Sequence, residues 1–272
     1  MTIELDFRNR AVVVVGGTSG INRGIAEAFA ALGDRVAVAS RSQEKVDDTV
    51  TALETLGAAE AIGQAFDVRQ ADAVGKGMSD FHDAFGDFDV LVSGAAGNFP
   101  ALTADMSVNA FKTVVDIDLM GTVHVLKSAY PFLLRPGSSI INISAPQSWL
   151  PYEGQAHVCA AKAGVDQITR TLALEWAAEG IRVNSVVPGF IAGTEGVRRL
   201  SPGPDAADHI LKSIPLGRMG EPQDVANACL FLASSLSSYI SGSLIVVDGG
   251  VYQRGSGMMG QAIGEMLRSQ RA

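Results

Sequence analysis

The sequence of 272 residues has few cysteines, few cations and no long apolar run, and each shortage argues against a class of protein. The two cysteines, Cys159 and Cys229, lie far apart in apolar helical patterns, which predicts reduced, buried thiols and a cytoplasmic location. The chain has 21 lysines and arginines against 29 acidic residues, and the net charge of −8 argues against nucleic-acid binding. No uninterrupted apolar run reaches the roughly 18 residues of a membrane helix, so we expect no membrane span.

Sequence motifs for several other chemistries are missing as well. The four histidines, His82, His124, His157 and His209, do not have the spacing of metal ligands, and no cysteine or carboxylate cluster accompanies them. This pattern predicts no metal site. The sequence also contains neither the Gly-x-Ser-x-Gly turn of hydrolases nor a phosphate-binding loop that ends in Gly-Lys-Ser/Thr, so both of these enzyme classes are disfavoured.

Short β-branched runs alternate with longer stretches of helical periodicity along the chain. The predicted strands are residues 11–15, 36–40, 61–66, 90–93, 139–144, 182–187 and 244–247. The predicted helices are residues 21–32, 43–56, 71–85, 108–134, 155–178 and 222–234. Strands that are apolar on every residue are typical of parallel sheets covered on both faces. The alternation predicts a single doubly wound α/β domain over residues 1–272, with seven parallel strands and helices on both faces.

One long connection interrupts this alternation between the sixth strand and the next helix. Residues 190–215 are rich in glycine and proline. In doubly wound sheets ligands bind beyond the carboxyl ends of the strands, which is where this connection begins. We therefore predict that it is a substrate lid. The alternative is a solvent-exposed loop that carries a short helix.

A glycine-rich segment follows the first predicted strand directly and leads into an amphipathic helix. Residues 16–24 read Gly-Gly-Thr-Ser-Gly-Ile-Asn-Arg-Gly. Glycines at this place let the backbone turn tightly and approach a pyrophosphate, which is bound by the amides of the helix N-terminus. The segment predicts a dinucleotide-binding turn, and the alternative is a glycine-rich turn that binds no ligand.

The end of the second predicted strand indicates which dinucleotide is bound. NAD-specific sites usually place an acidic residue there, which accepts a hydrogen bond from the ribose 2′-hydroxyl. Here residues 39–42 read Ala-Ser-Arg-Ser. Arg41 would instead pair with a 2′-phosphate, with help from Arg23 in the first turn of the helix. The sequence favours NADP(H), and the alternative is that Arg41 is a solvated residue at a helix start.

These features resemble the short-chain dehydrogenase/reductase family over nearly the whole chain, and the resemblance implies a Rossmann fold. Gly16 and Gly20 match the first two glycine positions of the family. Asn22 stands at the third, and because asparagine tolerates positive φ better than most residues, we expect the turn to be kept. Residues 94–97, Gly-Ala-Ala-Gly, match the segment after the fourth strand, and residues 188–191 resemble the nicotinamide-side loop.

The resemblance also implies a set of cofactor contacts, which includes the residues that match the adenine-binding pair of the family, Asp67 and Val68. The implied contacts are Gly16, Thr18, Ser19, Gly20, Ile21, Asn22, Arg41, Asp67, Val68, Gly94, Ala95, Ala96, Lys162, Pro188, Gly189 and Ile191.

The catalytic positions of the family match at one residue. Lys162 occupies the lysine position, where it can hold the nicotinamide ribose and contribute positive charge near the reacting centre. Val158 stands at the tyrosine position, Ala145 at the serine position and Asp118 at the asparagine position. Because valine cannot donate a proton, we do not expect simple ketones and alcohols to be interconverted by the usual groups.

Within the family, the chain resembles the 2,4-dienoyl-CoA reductases, most closely the peroxisomal type, which also lack the tyrosine and the serine. The resemblance rests on residues 95–99, on residues 116–118, on His157 five residues before Lys162, and on residues 193–200. It implies that Asp118 and Lys162 are catalytic and work with a water. It also implies a homotetramer and an acyl-CoA substrate, which is bound by Asn98, Phe99, Arg198 and Arg199.

Each implied role has an alternative. Asp118 could only accept hydrogen bonds from the helix backbone, Asn98 could cap the turn that follows it, and the two arginines could be solvated. We expect Tyr152 to be an exposed loop residue and His157 to be a helix cap, although either could serve as the acid in a reductase of another carbonyl or alcohol. The changes at positions 118, 145 and 158 also fit a catalytically silent NADP-binding sensor or partner protein.

Overall fold

The computed structural model describes residues 7–200, 206–254, 263 and 266–270. Its strands are β1 (Ala11–Val15), β2 (Arg35–Ser40), β3 (Glu60–Ala65), β4 (Val90–Ser93), β5 (Ser139–Ile143), β6 (Arg182–Pro188) and β7 (Leu244–Val247). Its α-helices are α1 (Gly20–Ala31), α2 (Gln43–Leu56), α3 (Ala71–Phe85), α4 (Val108–Val115), α5 (Gly121–Ala129), α6 (Ala156–Glu175), α7 (Glu195–Leu200), α8 (Ala206–Ser213) and α9 (Pro222–Ala233).

The strands form one seven-stranded sheet in the order β3-β2-β1-β4-β5-β6-β7, and all neighbouring strands are parallel. The chain moves outward from β1 to β3 and then returns to β4 on the other side of β1. This reversal leaves a crevice beyond the carboxyl ends of β1 and β4, where ligands bind in doubly wound folds. The predicted fold, seven parallel strands with helices on both faces, is confirmed.

The two faces of β1 belong to two different cores. Val12 and Val14 pack in a cluster with Ile25 and Phe29 of α1. The alternate residue Val13 packs in a second cluster with residues of α3 and α5. Successive side chains of a strand point to opposite faces, and burying each large apolar side chain stabilises the fold by about 1.5–3 kcal/mol. A strand that is apolar at every position is therefore the one that suits the centre of this sheet.

The predicted helix over residues 108–134 is interrupted. Helix α4 ends at Val115, residues Asp116–Met120 form a single π-helical turn, and α5 begins at Gly121. The amide of Gly121 donates to the carbonyl of Asp116, five residues earlier. Such a turn contains one extra residue, which changes the direction of the side chains within it, and it is frequent at functional sites. Here it contains Asp118.

The long connection after β6 contains two short helices, α7 and α8. Ile210 and Ile214 form a small apolar cluster with Val251, against which Phe190 and Met219 pack. Residues 201–205 of the predicted lid lie outside the described residues. Across the described segments, no helix is long and apolar enough to cross a membrane.

Candidate active site

The turn between β1 and α1 has the geometry of a cradle for an anion. Gly16 and Gly20 have φ angles of +84° and +53°, which favour glycine. A β-carbon at Gly16 would lie 2.9 Å from the amide nitrogen of Ala95, so the turn and the segment after β4 approach closely. The side chain of Ser19, the residue before α1, makes no capping hydrogen bond to the first turn of the helix. The backbone amides of this first turn can therefore bind a pyrophosphate, and the turn fits the predicted dinucleotide.

Asn22 does not adopt the conformation expected of it. It lies in the first turn of α1 and is not among the described residues with positive φ, so the tolerance of asparagine for positive φ does not explain its presence. Its side chain instead donates a hydrogen bond from Nδ2 to the carbonyl of Gly94, at 2.7 Å. The expectation that the turn is kept agrees with the geometry, but the reason given for it was wrong.

A cavity of about 290 Å³ extends from this turn along the carboxyl ends of β1, β2 and β4. It is lined by Val15, Gly16, Thr18, Ser19, Asn22, Ala39, Ser40, Arg41, Ser42, Lys45, Phe66, Asp67, Val68, Gly94, Ala95, Ala96 and Ile117. Ten of the predicted cofactor contacts are in this lining. Six are not among the described lining residues, namely Gly20, Ile21, Lys162, Pro188, Gly189 and Ile191.

The β2 end of the cavity carries two cations. Arg41 and Lys45 line it together, and Lys45 was not singled out from the sequence because it lies one helical turn beyond the strand end. The one carboxylate in the described lining, Asp67, is paired with Arg69 at 2.5 Å. That hydrogen-bonded arginine holds the pKa of Asp67 below its usual value. The arrangement suits an additional phosphate group.

The cavity lining gives no support to the prediction that Arg23 helps Arg41. Its guanidinium pairs with Glu27 at 2.7 Å, one turn further along α1, and Arg23 is not among the described residues that line the cavity. An arginine in the first turn of a helix can reach either the site or the helix surface, and sequence position alone does not distinguish the two.

Asp118 and Lys162 lie together under the end of β5. Asp118 Oδ1 accepts a hydrogen bond from the amide of Gly97 at 2.6 Å, and its Oδ2 lies 3.4 Å from Lys162 Nζ. Lys162 also donates to the carbonyl of Ile143 at 3.0 Å. The side chains of Asp118 and Lys162 are 1% and 8% exposed. Asp118 thus contacts a loop amide and the lysine in addition to any role in its own helix.

The pKa of Asp118 is raised above that of an ordinary carboxyl group. Burial is the main cause, because it disfavours the charged form, and it is opposed by the charge of Lys162 and by the Gly97 amide. A carboxyl group in this state keeps its proton at higher pH than an exposed one. It can therefore donate a proton in a site that contains no tyrosine at position 158.

A chain of three amide side chains begins at Asn98, the residue after the Gly97 partner of Asp118, and the sequence did not reveal it. Asn98 Nδ2 donates to Gln155 Oε1 at 3.4 Å, and Gln155 Nε2 donates back to Asn98 Oδ1 at 3.2 Å. Gln147 Nε2 donates to the same Gln155 oxygen at 3.2 Å. Asn98 is therefore bound to Gln155 and does not need to cap the turn that follows it. Glutamines carry no motif signal, so only the tertiary contact identifies them.

Tyr152 and His157 are both buried, which contradicts the expectations of an exposed loop residue and a helix cap. Tyr152 is 9% exposed, and burial raises its pKa to about 12. His157 is 0% exposed, its ring lies 4.5 Å from that of Phe99, and burial lowers its pKa. Neither ring nitrogen of His157 has a hydrogen-bond partner of ordinary geometry among the described residues.

Helix α7 brings one of its two arginines, Arg199, to the mouth of the site. Arg199 donates to the backbone carbonyl of Asn98 and, through Nε, to Glu195 at 2.7 Å. Arg198 also pairs with Glu195, and its side chain is 78% exposed. A β-carbon at Gly20 would lie 3.6 Å from Cγ2 of Thr194, so the segment that leads into α7 faces the glycine turn.

The predicted nicotinamide-side loop lies at the ends of β6 and β7. A β-carbon at Gly189 would lie 2.6 Å from the Cβ of Asp248, so the loop packs tightly against the segment after β7. Ile191 is buried and pairs with Gly220. The cofactor role of this loop stays a prediction. In the described residues no three His, Cys, Asp or Glu side chains are grouped as metal ligands would be.

Comparisons with known proteins agree with this geometry. A family model described as enoyl-(acyl carrier protein) reductase matches residues 15–252. The peroxisomal 2,4-dienoyl-CoA reductase of Danio rerio is 42% identical over 248 residues, which cover 90% of this chain and 82% of that protein. The Arabidopsis thaliana protein of the same name is 40% identical over 255 residues, covering 90% and 85%. A short-chain type dehydrogenase/reductase structure from Mycobacterium marinum has a TM-score of 0.83 at 31% identity, covering 90% and 96%.

Proposed function

The chain belongs to the short-chain dehydrogenase/reductase family, and we propose that it reduces 2,4-dienoyl-CoA thioesters with NADPH. Membership makes it an oxidoreductase with a nicotinamide cofactor. The main support for reduction of a dienoyl thioester is the buried pair of Asp118 and Lys162, in a site that has Val158 where an alcohol-forming enzyme needs its acid. The relatives named above support the substrate class.

The proposed reaction needs a proton on carbon and no proton on an alcohol oxygen. Reduced nicotinamide, when bound, supplies a hydride for the distal carbon of the conjugated dienoyl group. The negative charge then resides on the thioester oxygen of a dienolate. Lys162 contributes positive charge near this oxygen, and one missing donor of that kind costs about 10²–10³ in rate. Protonation of the dienolate at carbon completes the reduction to an enoyl-CoA.

We assign the proton to Asp118. Burial shifts its pKa upward, toward the acid form, and in the proposed step it delivers a proton through a water, becomes a carboxylate beside Lys162, and regains a proton from solvent. The Gly97 amide, 2.6 Å from Oδ1, holds the carboxyl group in place through this change of charge. The amide group of Asn98, together with Phe99, would contact the thioester end of the substrate.

For the cofactor we propose NADPH, with its 2′-phosphate held by Arg41 and Lys45 at the β2 end of the cavity. The predicted contacts along residues 16–22, 67–68 and 94–96, together with Lys162, Pro188, Gly189 and Ile191, would bind the rest of the dinucleotide.

For the substrate we propose that residues 190–215 form the lid and that Arg198 and Arg199 meet the phosphates of CoA. Arg199 donates to the backbone carbonyl of Asn98 and Arg198 precedes it on the same short helix, which supports this role. We further propose a cytoplasmic homotetramer. Light scattering on the purified protein tests the assembly, and a monomer in solution would contradict it.

The test of the activity follows the absorbance of reduced nicotinamide in the presence of 2,4-dienoyl-CoA thioesters of several chain lengths. We expect NADPH to be consumed and the 2-enoyl and simple ketone controls to be inert. A protein that binds NADPH and turns over none of the dienoyl thioesters would overturn the proposal. It would then favour a cofactor-binding sensor.

A further inference from the structure

The side chain of Asn22 bridges two segments of the cofactor cavity. Asn22 belongs to the first turn of α1, and its Nδ2 donates to the carbonyl of Gly94 after β4, at 2.7 Å. The same nitrogen would lie 3.1 Å from a β-carbon at Gly16, so the amide group sits between the glycine turn and the β4 exit. Because a carbonyl can only accept a hydrogen bond, the NH₂ of the amide must face Gly94.

The absence of a side chain at Gly94 matters for reasons of space and not of backbone conformation. It is not among the described glycines with positive φ, so its backbone conformation is one that any residue can adopt. A β-carbon at this position, however, would lie 2.6 Å from Cγ of Asn22 and would overlap both polar atoms of the amide group. Glycine at position 94 therefore leaves room for the Asn22 amide group, whereas a larger residue there would displace that amide group from its present position.

The other polar atom of the amide group is left without a partner. Asn22 Oδ1 is buried and has no hydrogen-bond partner among the residues that the structure describes. Asn22, Gly16 and Gly94 all line the cavity that fits the dinucleotide. A buried acceptor without a partner is unfavourable unless a ligand or a water supplies a donor. The free oxygen therefore indicates a contact that forms when the cavity is filled.

The chemistry of the acceptor restricts the group that can fill it. An amide oxygen repels phosphate oxygens, which are also acceptors, and it binds a hydroxyl or an N–H group. The donors of a nicotinamide dinucleotide that flank the pyrophosphate are its ribose hydroxyls. We propose that Asn22 Oδ1 accepts a hydrogen bond from a ribose hydroxyl of the bound cofactor, and that Gly94 is needed because it makes room for this side chain.

This inference rests on the nicotinamide cofactor that family membership implies, and it does not depend on the dienoyl-CoA substrate. It can therefore fail while the proposed activity stands, and it can hold if the true substrate is another compound. Its test measures cofactor binding and thermal unfolding, and it needs no turnover.

The experiment is a double-mutant cycle of the parent protein, Asn22→Gly, Gly94→Ala and the double variant. Binding of NADPH is titrated by nicotinamide fluorescence, and the midpoint of thermal unfolding is measured with and without cofactor. We expect Asn22→Gly to weaken NADPH binding roughly three- to tenfold, as for the loss of one neutral hydrogen bond. We expect Gly94→Ala to weaken binding and stability in the parent, but to have no further effect in the Asn22→Gly background.

Two further variants serve as a substitute test and as a control. Asn22→Ser tests the contact if the glycine variant does not fold, because a hydroxyl is smaller but can still accept. Asn227→Ala, on the exposed face of α9, is the matched control and should leave binding unchanged. Binding of 2′,5′-ADP identifies the ribose: a loss shared with this fragment assigns the adenosine side, and a loss seen only with NADPH assigns the nicotinamide side.

Unchanged or tighter NADPH binding by Asn22→Gly would overturn the cofactor contact. An equal effect of Gly94→Ala in both backgrounds would overturn the pairing of Asn22 with Gly94. If the parent protein bound neither NADPH nor NADH, the inference would be wrong together with the cofactor assignment.

Discussion

The replacement of Asp118 by asparagine tests the proposed acid most directly. Asparagine has the same shape and can still accept the hydrogen bond from the Gly97 amide, which lies 2.6 Å from Oδ1. It cannot release a proton. A positioned general acid contributes about 10²–10⁴ to the rate, so we expect Asp118→Asn to lower kcat for a 2,4-dienoyl-CoA by about that factor. Binding of NADPH should change little, because Asp118 is not among the described residues that line the cofactor cavity.

The same π-helical turn supplies a matched control. Asp116 lies two residues earlier and pairs with Lys112, and its side chain is 31% exposed. The change Asp116→Asn makes the same carboxyl-to-amide replacement in the same turn but breaks only a partly exposed ion pair, so we expect kcat to stay within about twofold. Steady-state kinetics with cofactor titrations on both variants separate loss of the acid from loss of local structure.

The pH dependence gives a second, independent readout. Because burial raises the pKa of Asp118, its acid form is present at low pH and is lost as the pH rises through that raised value. The parent kcat should therefore fall on the alkaline side, and this limb should be absent from the residual activity of Asp118→Asn. If Asp118→Asn retained more than about a tenth of the parent kcat, or had no more effect than Asp116→Asn, the assignment of Asp118 as the acid would be refuted.

Three other predictions follow from the site. Arg41→Ala should weaken NADPH binding by at least about tenfold, the loss of a charge-assisted contact, and leave NADH binding nearly unchanged; equal losses for both in fluorescence titrations would contradict a 2′-phosphate site. Tyr152→Phe should keep kcat within about twofold, because a buried hydroxyl with a pKa of about 12 is a poor acid; a large loss of kcat with an unchanged unfolding midpoint would instead support Tyr152 as the acid. Arg199→Ala should raise KM for acyl-CoA severalfold and leave NADPH binding unchanged, since Arg199 contacts the carbonyl of Asn98 at the mouth of the site; an unchanged KM in steady-state kinetics would leave Arg199 as a surface residue.

The central sheet and the glycine turn could be predicted well because they depend on local patterns. A strand that is apolar at every position, such as β1, has to be covered on both faces, and regular alternation with helices leaves few topologies. The glycines at positions 16 and 20 have positive φ angles, a backbone conformation that glycine adopts readily. For these elements, spacing along the chain carries the necessary information.

The environment of the candidate site could not be predicted in the same way. Burial of Tyr152 and His157 and the amide chain of Asn98, Gln155 and Gln147 depend on which distant segments meet. Neither composition nor periodicity reports the direction of a single polar side chain. The π-helical turn at Asp118 was missed because one additional residue in a turn barely disturbs the apolar periodicity of a helix.

The amino-acid sequence by itself determined the α/β class, the positions of the strands along the chain and the place of the dinucleotide turn. These features depend on the burial of apolar faces and on the backbone conformation of glycine, and both can be recognised within a few neighbouring residues. Only the tertiary structure decided that Asp118 lies 3.4 Å from Lys162 and that Asn22 meets Gly94. Residues 44 and 72 positions apart are brought together by the order of the strands, and the charge state of a carboxyl group depends on what then surrounds it.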